Sequence, residues 1–219
     1  MQRTTIFFKL TSLTIIITVI FKILQLVIRA YNVFVLQKII NGNELFRSKL
    51  KFIISEFKVE NTIDYFVIIS FLVSFSIWFY ISYKNTNLIS SRQLTYKPIL
   101  ALFSLIIPIF NLFAPYKIMN EIWTVRNRDL TKEKEGKDLI NMWWFLSIAL
   151  FIYSRYCKYK FTHADNIQDI LKAEYLSVLL FLVGIHYFIT LLKLIPQIQK
   201  QSKPQPTSSY TKSGRTEVS

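Results

Sequence analysis

Residues 10–32, LTSLTIIITVIFKILQLVIRAYN, decide how the chain is read. Apart from Ser12, their polar members are Thr11, Thr14, Thr18, Lys22, Gln25, Arg29 and Asn32, at steps of three or four residues. Such steps keep them on one face of an α-helix. The rest of the surface is mainly Ile, Leu, Val and Phe. A soluble helix hides an apolar stripe under a polar surface, and this one has the reverse proportions. It is built to turn a polar stripe toward its neighbours or toward water, and to show lipid everything else.

The whole chain agrees. Of its 219 residues 52% are hydrophobic and 18% charged, with a mean hydropathy of +0.34. Glycine occurs 4 times and cysteine once. This composition excludes disorder for the body of the chain, a disulfide framework and a cysteine-cluster metal site. A spanning helix needs ~20 mostly apolar residues. Five stretches approach that length, at 10–28, 63–82, 98–113, 139–156 and 175–195. They are continuous runs, not the ~10-residue alternations of a membrane barrel. The expected fold is therefore all-α, a polytopic helical membrane bundle of about five transmembrane segments with a Pro-broken third segment and interfacial helices. It forms a single domain over 1–200. No small-x-small cleavage site follows the first run, so that run reads as an uncleaved span. Between the first two spans, Leu45, Phe46, Leu50, Ile53, Ile54 and Phe57 share a face, which predicts an amphipathic helix over about 44–60. The Ser/Thr/Lys/Pro-rich residues 201–219 read as a disordered cytoplasmic tail.

The net charge of +14 would suggest nucleic acid in a soluble protein. Here the basic residues flank apolar runs, which membrane insertion alone requires, so no nucleic-acid partner is expected. With five crossings, the excess of Lys and Arg puts the C-terminus in the cytoplasm and the N-terminus outside. With four, the third stretch dipping in and returning, both termini are cytoplasmic. The expected location is the cell membrane, with a cytoplasmic C-terminus in either case.

Lys22 is the most informative single residue. A lysine well inside a span costs ~2.5–3.5 kcal/mol unless it pairs, reaches water or snorkels. Asp64, Glu121 and Asp138 are its candidate partners. The last span carries a second, shorter stripe that includes His186, Thr190 and Lys193. With five crossings, spans one and five run in the same direction. Lys22, Gln25, Arg29, His186, Thr190 and Lys193 would then line a polar, basic cavity open to the cytoplasm, suited to anionic headgroups or small anions.

The third stretch continues as IIPIFNLFAPYKIMNEIWT, residues 106–124. Pro108 ends or kinks a helix, and Pro115 starts a new direction. Asn111 lies between them, where freed carbonyls need a donor. Trp78 and Tyr80 precede Lys84–Asn85. Pro108, Asn111, Leu112, Pro115, Tyr116, Met119, Glu121 and Trp123 follow, then the pair Trp143–Trp144. From Trp78 to Trp144 the chain resembles the domain of unknown function 4328 family, mostly bacterial multi-span proteins. That family's pattern is Trp-x-Tyr…Arg-Asn, Pro-x-x-Asn-Leu-x-x-Pro-Tyr-x-x-Met-x-Glu-x-Trp and Trp-Trp. Lys84 departs from the usual arginine, and Ile81 stands where a basic residue is common. The resemblance implies a multi-span fold and a membrane location, and it carries no activity.

No Gly-rich phosphate loop, Gly-x-Ser-x-Gly, His-Glu-x-x-His or Cys-x-x-Cys occurs, so no catalytic set, metal site or cofactor is expected. The expected function is that of a non-enzymatic integral membrane protein acting on lipids or other membrane proteins, a second copy of the chain included. A small transporter or channel subunit using the two stripes is the alternative.

Overall fold

The computed structural model describes residues 2–90, 93–105, 107, 110, 112–126 and 130–200. The tail at 201–219 lies outside them, as do Pro108 and Asn111. Helix α1 is Gln2–Ile40 and α2 is Lys49–Ile89. The short α3 is Pro98–Ser104, and α4 is Ala114–Arg126. Two more long helices follow, α5 at Leu130–Thr162 and α6 at Ile167–Lys200. No strand occurs among the described residues.

Helix α1 stops at Gly42, whose φ of +84° lies in the left-handed region that favours glycine. There the amide of Asn43 reaches the Lys38 carbonyl at 3.0 Å, the closing bond of a Schellman end. A single 3₁₀ turn, Glu44–Phe46, leads into α2. The segment expected as a separate amphipathic helix is not separate, because Lys49–Ile89 is one helix of 41 residues. It contains no glycine or proline, so nothing interrupts its backbone ladder.

Contacts between side chains fix the direction of each long helix. Thr11 meets Ser74 and Lys22 meets Asp64, so α1 and α2 are antiparallel. The Lys22 ammonium lies 5.0 Å from the centre of the Phe181 ring and Arg29 meets Glu174, so α1 and α6 are antiparallel too. Trp143 meets Tyr187, and Tyr153 meets the Leu176 carbonyl, which runs α5 against α6. The long helices therefore alternate in direction, and the start of α1 and the end of α6 lie at the same end of the bundle. This corrects the expected parallel course of the first and last spans. That expectation assumed that the third stretch crosses fully, and the described α3 has only 7 residues, about 10 Å of helix.

Among the described residues three helices are long and apolar enough to cross a membrane, over Thr5–Ile40, Thr62–Ile89 and Ile167–Lys200. Their outward faces are strongly apolar. On α1, Leu13, Ile16, Ile20, Leu24 and Val27 are exposed, while Thr11, Thr18, Lys22, Gln25, Arg29 and Asn32 are buried. The main core gathers around Phe75, Trp78, Phe79, Met119, Trp123 and Trp143. A smaller apolar cluster of Val35, Leu36 and Ile53 closes the far end, where α1 turns into α2.

Candidate functional site

Two polar assemblies stand out, one along the inner face of α1 and one around α4. In the first, Thr11 donates to the Ser74 carbonyl at 3.0 Å, and Thr14 shares a 2.8 Å bond with the Ser74 hydroxyl. Thr18 donates back to the Thr14 carbonyl at 2.7 Å. Next comes Lys22, whose Nζ lies 2.5 Å from Asp64 Oδ1. Two turns on, Arg29 Nη1 lies 2.8 Å from Glu174 Oε1, with the two side chains 3% and 0% exposed. An ion that deep is tolerated only with an opposite charge beside it. Of the three acids weighed for Lys22, the structure selects Asp64. Glu121 binds elsewhere and Asp138 is exposed.

The structure does not bring the six proposed cavity residues together. Lys22, Gln25 and Arg29 share the buried face of α1. Thr190 is buried but spends its hydroxyl on the His186 carbonyl at 2.9 Å, while the side chains of His186 and Lys193 are exposed. The antiparallel packing sets Glu174, and not Lys193, beside Arg29. Lys193 is then about 28 Å further along α6, taking ~1.5 Å per residue. Carrying the register forward by the same rise puts Lys193 level with Lys9 on α1 and Lys137 on α5, and all three are exposed.

Glu174 was missed in the sequence because it lies before the fifth apolar run and off the His186 stripe. The burial of α6 supplies a signal that was legible. Ala173, Glu174, Ser177, Phe181, Gly184, Phe188 and Leu191 recur at helical spacing on the buried face.

The second assembly contains the motif residues. Pro115 sits in the first turn of α4, where a missing amide hydrogen costs nothing. Met119 and Trp123 are fully buried on the same face of that helix, and Trp78 and Trp143 are buried against the same core. Glu121 accepts from the Tyr83 hydroxyl at 2.5 Å and from the Thr95 amide at 3.0 Å, and also from the Thr95 hydroxyl. It thereby ties the α2–α3 connection to α4. Tyr116 donates to Asn141 at 2.8 Å, and its ring lies 6.4 Å from Trp144. Tyr80 and Asn85 are half-buried.

Arg126 is the anchor that the motif reading missed. Its guanidinium reaches the Ser82 carbonyl (2.7 Å), the Thr86 hydroxyl (3.0 Å) and the Ile198 carbonyl (3.4 Å), joining α4 to α2 and α6. Burial lowers its pKa to about 10, so it remains a cation at neutral pH. Behind it, the Trp123 ring lies flat against Gly136, where a Cβ would fall 1.8 Å from the ring. This glycine lets α4 and α5 approach closely.

A helical bundle with helices apolar enough to cross a membrane, sealed at one end by a tryptophan-rich clasp, describes the class of this protein. The family model of the domain of unknown function 4328 matches residues 60–200, which takes in α6, the whole clasp and most of α2. The chain belongs to that family. No curated protein and no solved structure matches it.

Proposed function

We propose that the protein is a non-enzymatic membrane protein that engages the lipids of one leaflet through the end carrying both termini. In this reading α1, α2, α5 and α6 cross the bilayer, α5 being the least apolar of the four. The Pro-containing third stretch dips into the leaflet and returns, giving four crossings. Both termini then lie in the cytoplasm, by the excess of Lys and Arg at their end.

One observation carries the reading, the depth at which α4 begins. Tyr116 meets Asn141 and Trp144, which lie past the Lys9–Lys137–Lys193 level toward the middle of the bundle. At ~1.5 Å per residue that is about 6–10 Å inside. From there α4 rises until Arg126 meets the Ile198 carbonyl, on the outer side of the same level. Phe103, Ile107, Leu112 and Phe113, all on the approach to α4, are 44–65% exposed. At that depth acyl chains are the medium that solvates such side chains. Lys137 and Lys193 are exposed at the height where anionic headgroups lie, and Lys97 and Lys117, on either side of it, are exposed with stems long enough to reach it. Partnership with lipid thus rests on an apolar tip within a basic rim. His186, expected in a cavity, faces outward instead.

The test is to replace Phe113 with Trp, by Phe113→Trp, and to reconstitute the protein with lipids brominated at different depths. Quenching should be strongest at a depth within one leaflet. Quenching no greater than that of a water-exposed tryptophan refutes the reading. Native mass spectrometry of the Lys117→Ala/Lys193→Ala protein should show loss of retained anionic lipid relative to the unaltered chain. Reporter fusions should put both termini on the same side.

A further inference from the structure

The outer face of α1 carries an ordered stripe of its own. Ile20, Leu24, Val27, Tyr31, Phe34 and Lys38 follow one another at steps of four and three residues, and all six are exposed. Such steps line one side of a helix. The stripe changes character along its length, from aliphatic to aromatic to charged. Its height explains the change. From Lys9 to Tyr31 the helix rises about 33 Å at ~1.5 Å per residue, just over the ~30 Å of a hydrocarbon core. Tyrosines on two other helices mark the same height. The Arg29–Glu174 pair sets Tyr175 level with the residues just before Arg29. The bond from Tyr153 to the Leu176 carbonyl carries Tyr156 and Tyr159 to within about 7 Å of that level. All three are exposed, and together with Tyr31 they form the belt that aromatic residues make at a membrane–water boundary.

On α1 this belt holds two lysines. Lys49, at the start of α2, donates from Nζ to the Tyr31 hydroxyl at 2.7 Å. The same ammonium lies 5.4 Å from the ring centre of Tyr31 and 5.4 Å from that of Phe46. Phe46 meets Phe34 edge-on at 6.1 Å, and the Lys38 ammonium lies 5.6 Å from the Phe34 ring. Rings attract a cation without neutralising it. Among the described residues no carboxylate forms an ion pair with Lys38 or Lys49. Glu44, the acid nearest to both in sequence, is taken by Arg47 at 3.0 Å and 3.2 Å. Two ammoniums are thus held on one patch of three rings, at headgroup height, with their charge unanswered.

We propose that this stripe binds one anionic phospholipid of the leaflet opposite the termini. The phosphate rests on Lys38 and Lys49 beside the Tyr31 hydroxyl, and an acyl chain lies along Val27, Leu24 and Ile20. The lengths agree. From Tyr31 to Ile20 the helix covers about 16 Å at ~1.5 Å per residue, half of the ~30 Å hydrocarbon core and so the reach of one leaflet's chains. Charge selects the headgroup. An anionic lipid answers the two ammoniums, whereas a zwitterionic one brings a further cation to them. The inference goes beyond the site at the termini and shares with it only that α1 crosses a bilayer, so quenching at Phe113→Trp can fail without touching it.

The test puts a fluorescent ring on the chain's path by Val27→Trp, at a position 62% exposed where the larger side chain displaces no packing. The full chain is reconstituted in vesicles of about four parts phosphatidylcholine to one part phosphatidylglycerol. Brominated chains are carried by the phosphatidylglycerol in one preparation, and by an equal fraction of the phosphatidylcholine in another. Quenching is read against the unaltered chain, which supplies the signal of the native tryptophans. Brominated phosphatidylglycerol should quench Val27→Trp at least twofold more than the same amount of brominated phosphatidylcholine. Lys38→Ala/Lys49→Ala should abolish that preference. Lys158→Ala/Lys160→Ala, which removes two exposed charges from α5 near the same height, should leave it intact. Equal quenching by the two lipids overturns the proposal, as does a preference that survives the first pair of substitutions or is lost equally with the second. Quenching by neither lipid would place a protein on the stripe and also overturns it. Native mass spectrometry of the chain without the added tryptophan checks the result. Retained phosphatidylglycerol should fall with Lys38→Ala/Lys49→Ala, and unchanged retention counts against the site.

Discussion

Replacing Gly136 by alanine is the most decisive test of how the clasp is packed. In an isolated helix the change would be favourable, because alanine is better than glycine there by about 1 kcal/mol. In this bundle the new Cβ would stand 1.8, 2.0 and 2.4 Å from three atoms of the Trp123 ring. Carbon atoms settle at about 3.5–4.0 Å, so the ring and the helix must part by about 1.5–2 Å. The ring is rigid and 1% exposed, and its helix is held by Arg126 on α2 and α6 and by Tyr116 on α5. Overpacking of this kind costs about 1–3 kcal/mol and here belongs at the upper end. Less the gain in helix propensity, Gly136→Ala should destabilise the protein by about 2 kcal/mol. The assay is unfolding in mixed micelles of rising dodecyl sulfate fraction, followed by circular dichroism. The same substitution made with Trp123→Ala should lose its penalty and turn neutral or favourable, the coupling being read from a double-mutant cycle. An unchanged or raised stability for Gly136→Ala alone would show that α4 does not pack on α5 as described.

Three further outcomes follow from the ion pairs and the anchor. Glu174→Gln leaves Arg29 as a buried cation facing a neutral amide and should cost about 3–5 kcal/mol in the same unfolding assay, whereas Arg29→Met/Glu174→Met together should cost much less. Arg126→Lys replaces a fork that reaches three acceptors by a compact ammonium. It should cost about 1.5–3 kcal/mol and speed limited proteolysis between α4 and α5. Asp64→Asn, which weakens the tie to Lys22 without emptying the site, should lower stability by about 1–3 kcal/mol, and Lys22→Met in the same chain should restore part of the loss.

Motif and packing also explain each other in the region from Trp78 to Trp144. Met119 and Trp123 lie on the face that α4 buries, and Glu121 on its flank reaches Tyr83 and Thr95. Pro115 opens that helix. The motif is thus the set of parts that clamps α4 to the bundle. Arg126, just past its end, acts with it and carries no sign in sequence that separates it from the other basic residues of a chain with 27 of them.

What the sequence determined by itself was helix periodicity, though not where the helix at Lys49–Ile89 begins and ends. Helical steps of three and four told which face of α1 is polar, and continuous apolar runs told that the chain is helical, with helices apolar enough to cross a membrane. The motif told its family. These properties are set within one helix, where the geometry of 3.6 residues per turn is known in advance. What only the tertiary structure decided was which stripes meet. Lys22 and Asp64 are 42 residues apart and Arg29 and Glu174 are 145 apart. The direction in which α6 passes α1 depends on whether the third stretch crosses or turns back, and spacing within α1 or α6 holds no information about that. One reversal of direction moves Lys193 from beside Arg29 to the other end of the bundle and brings Glu174 into its place.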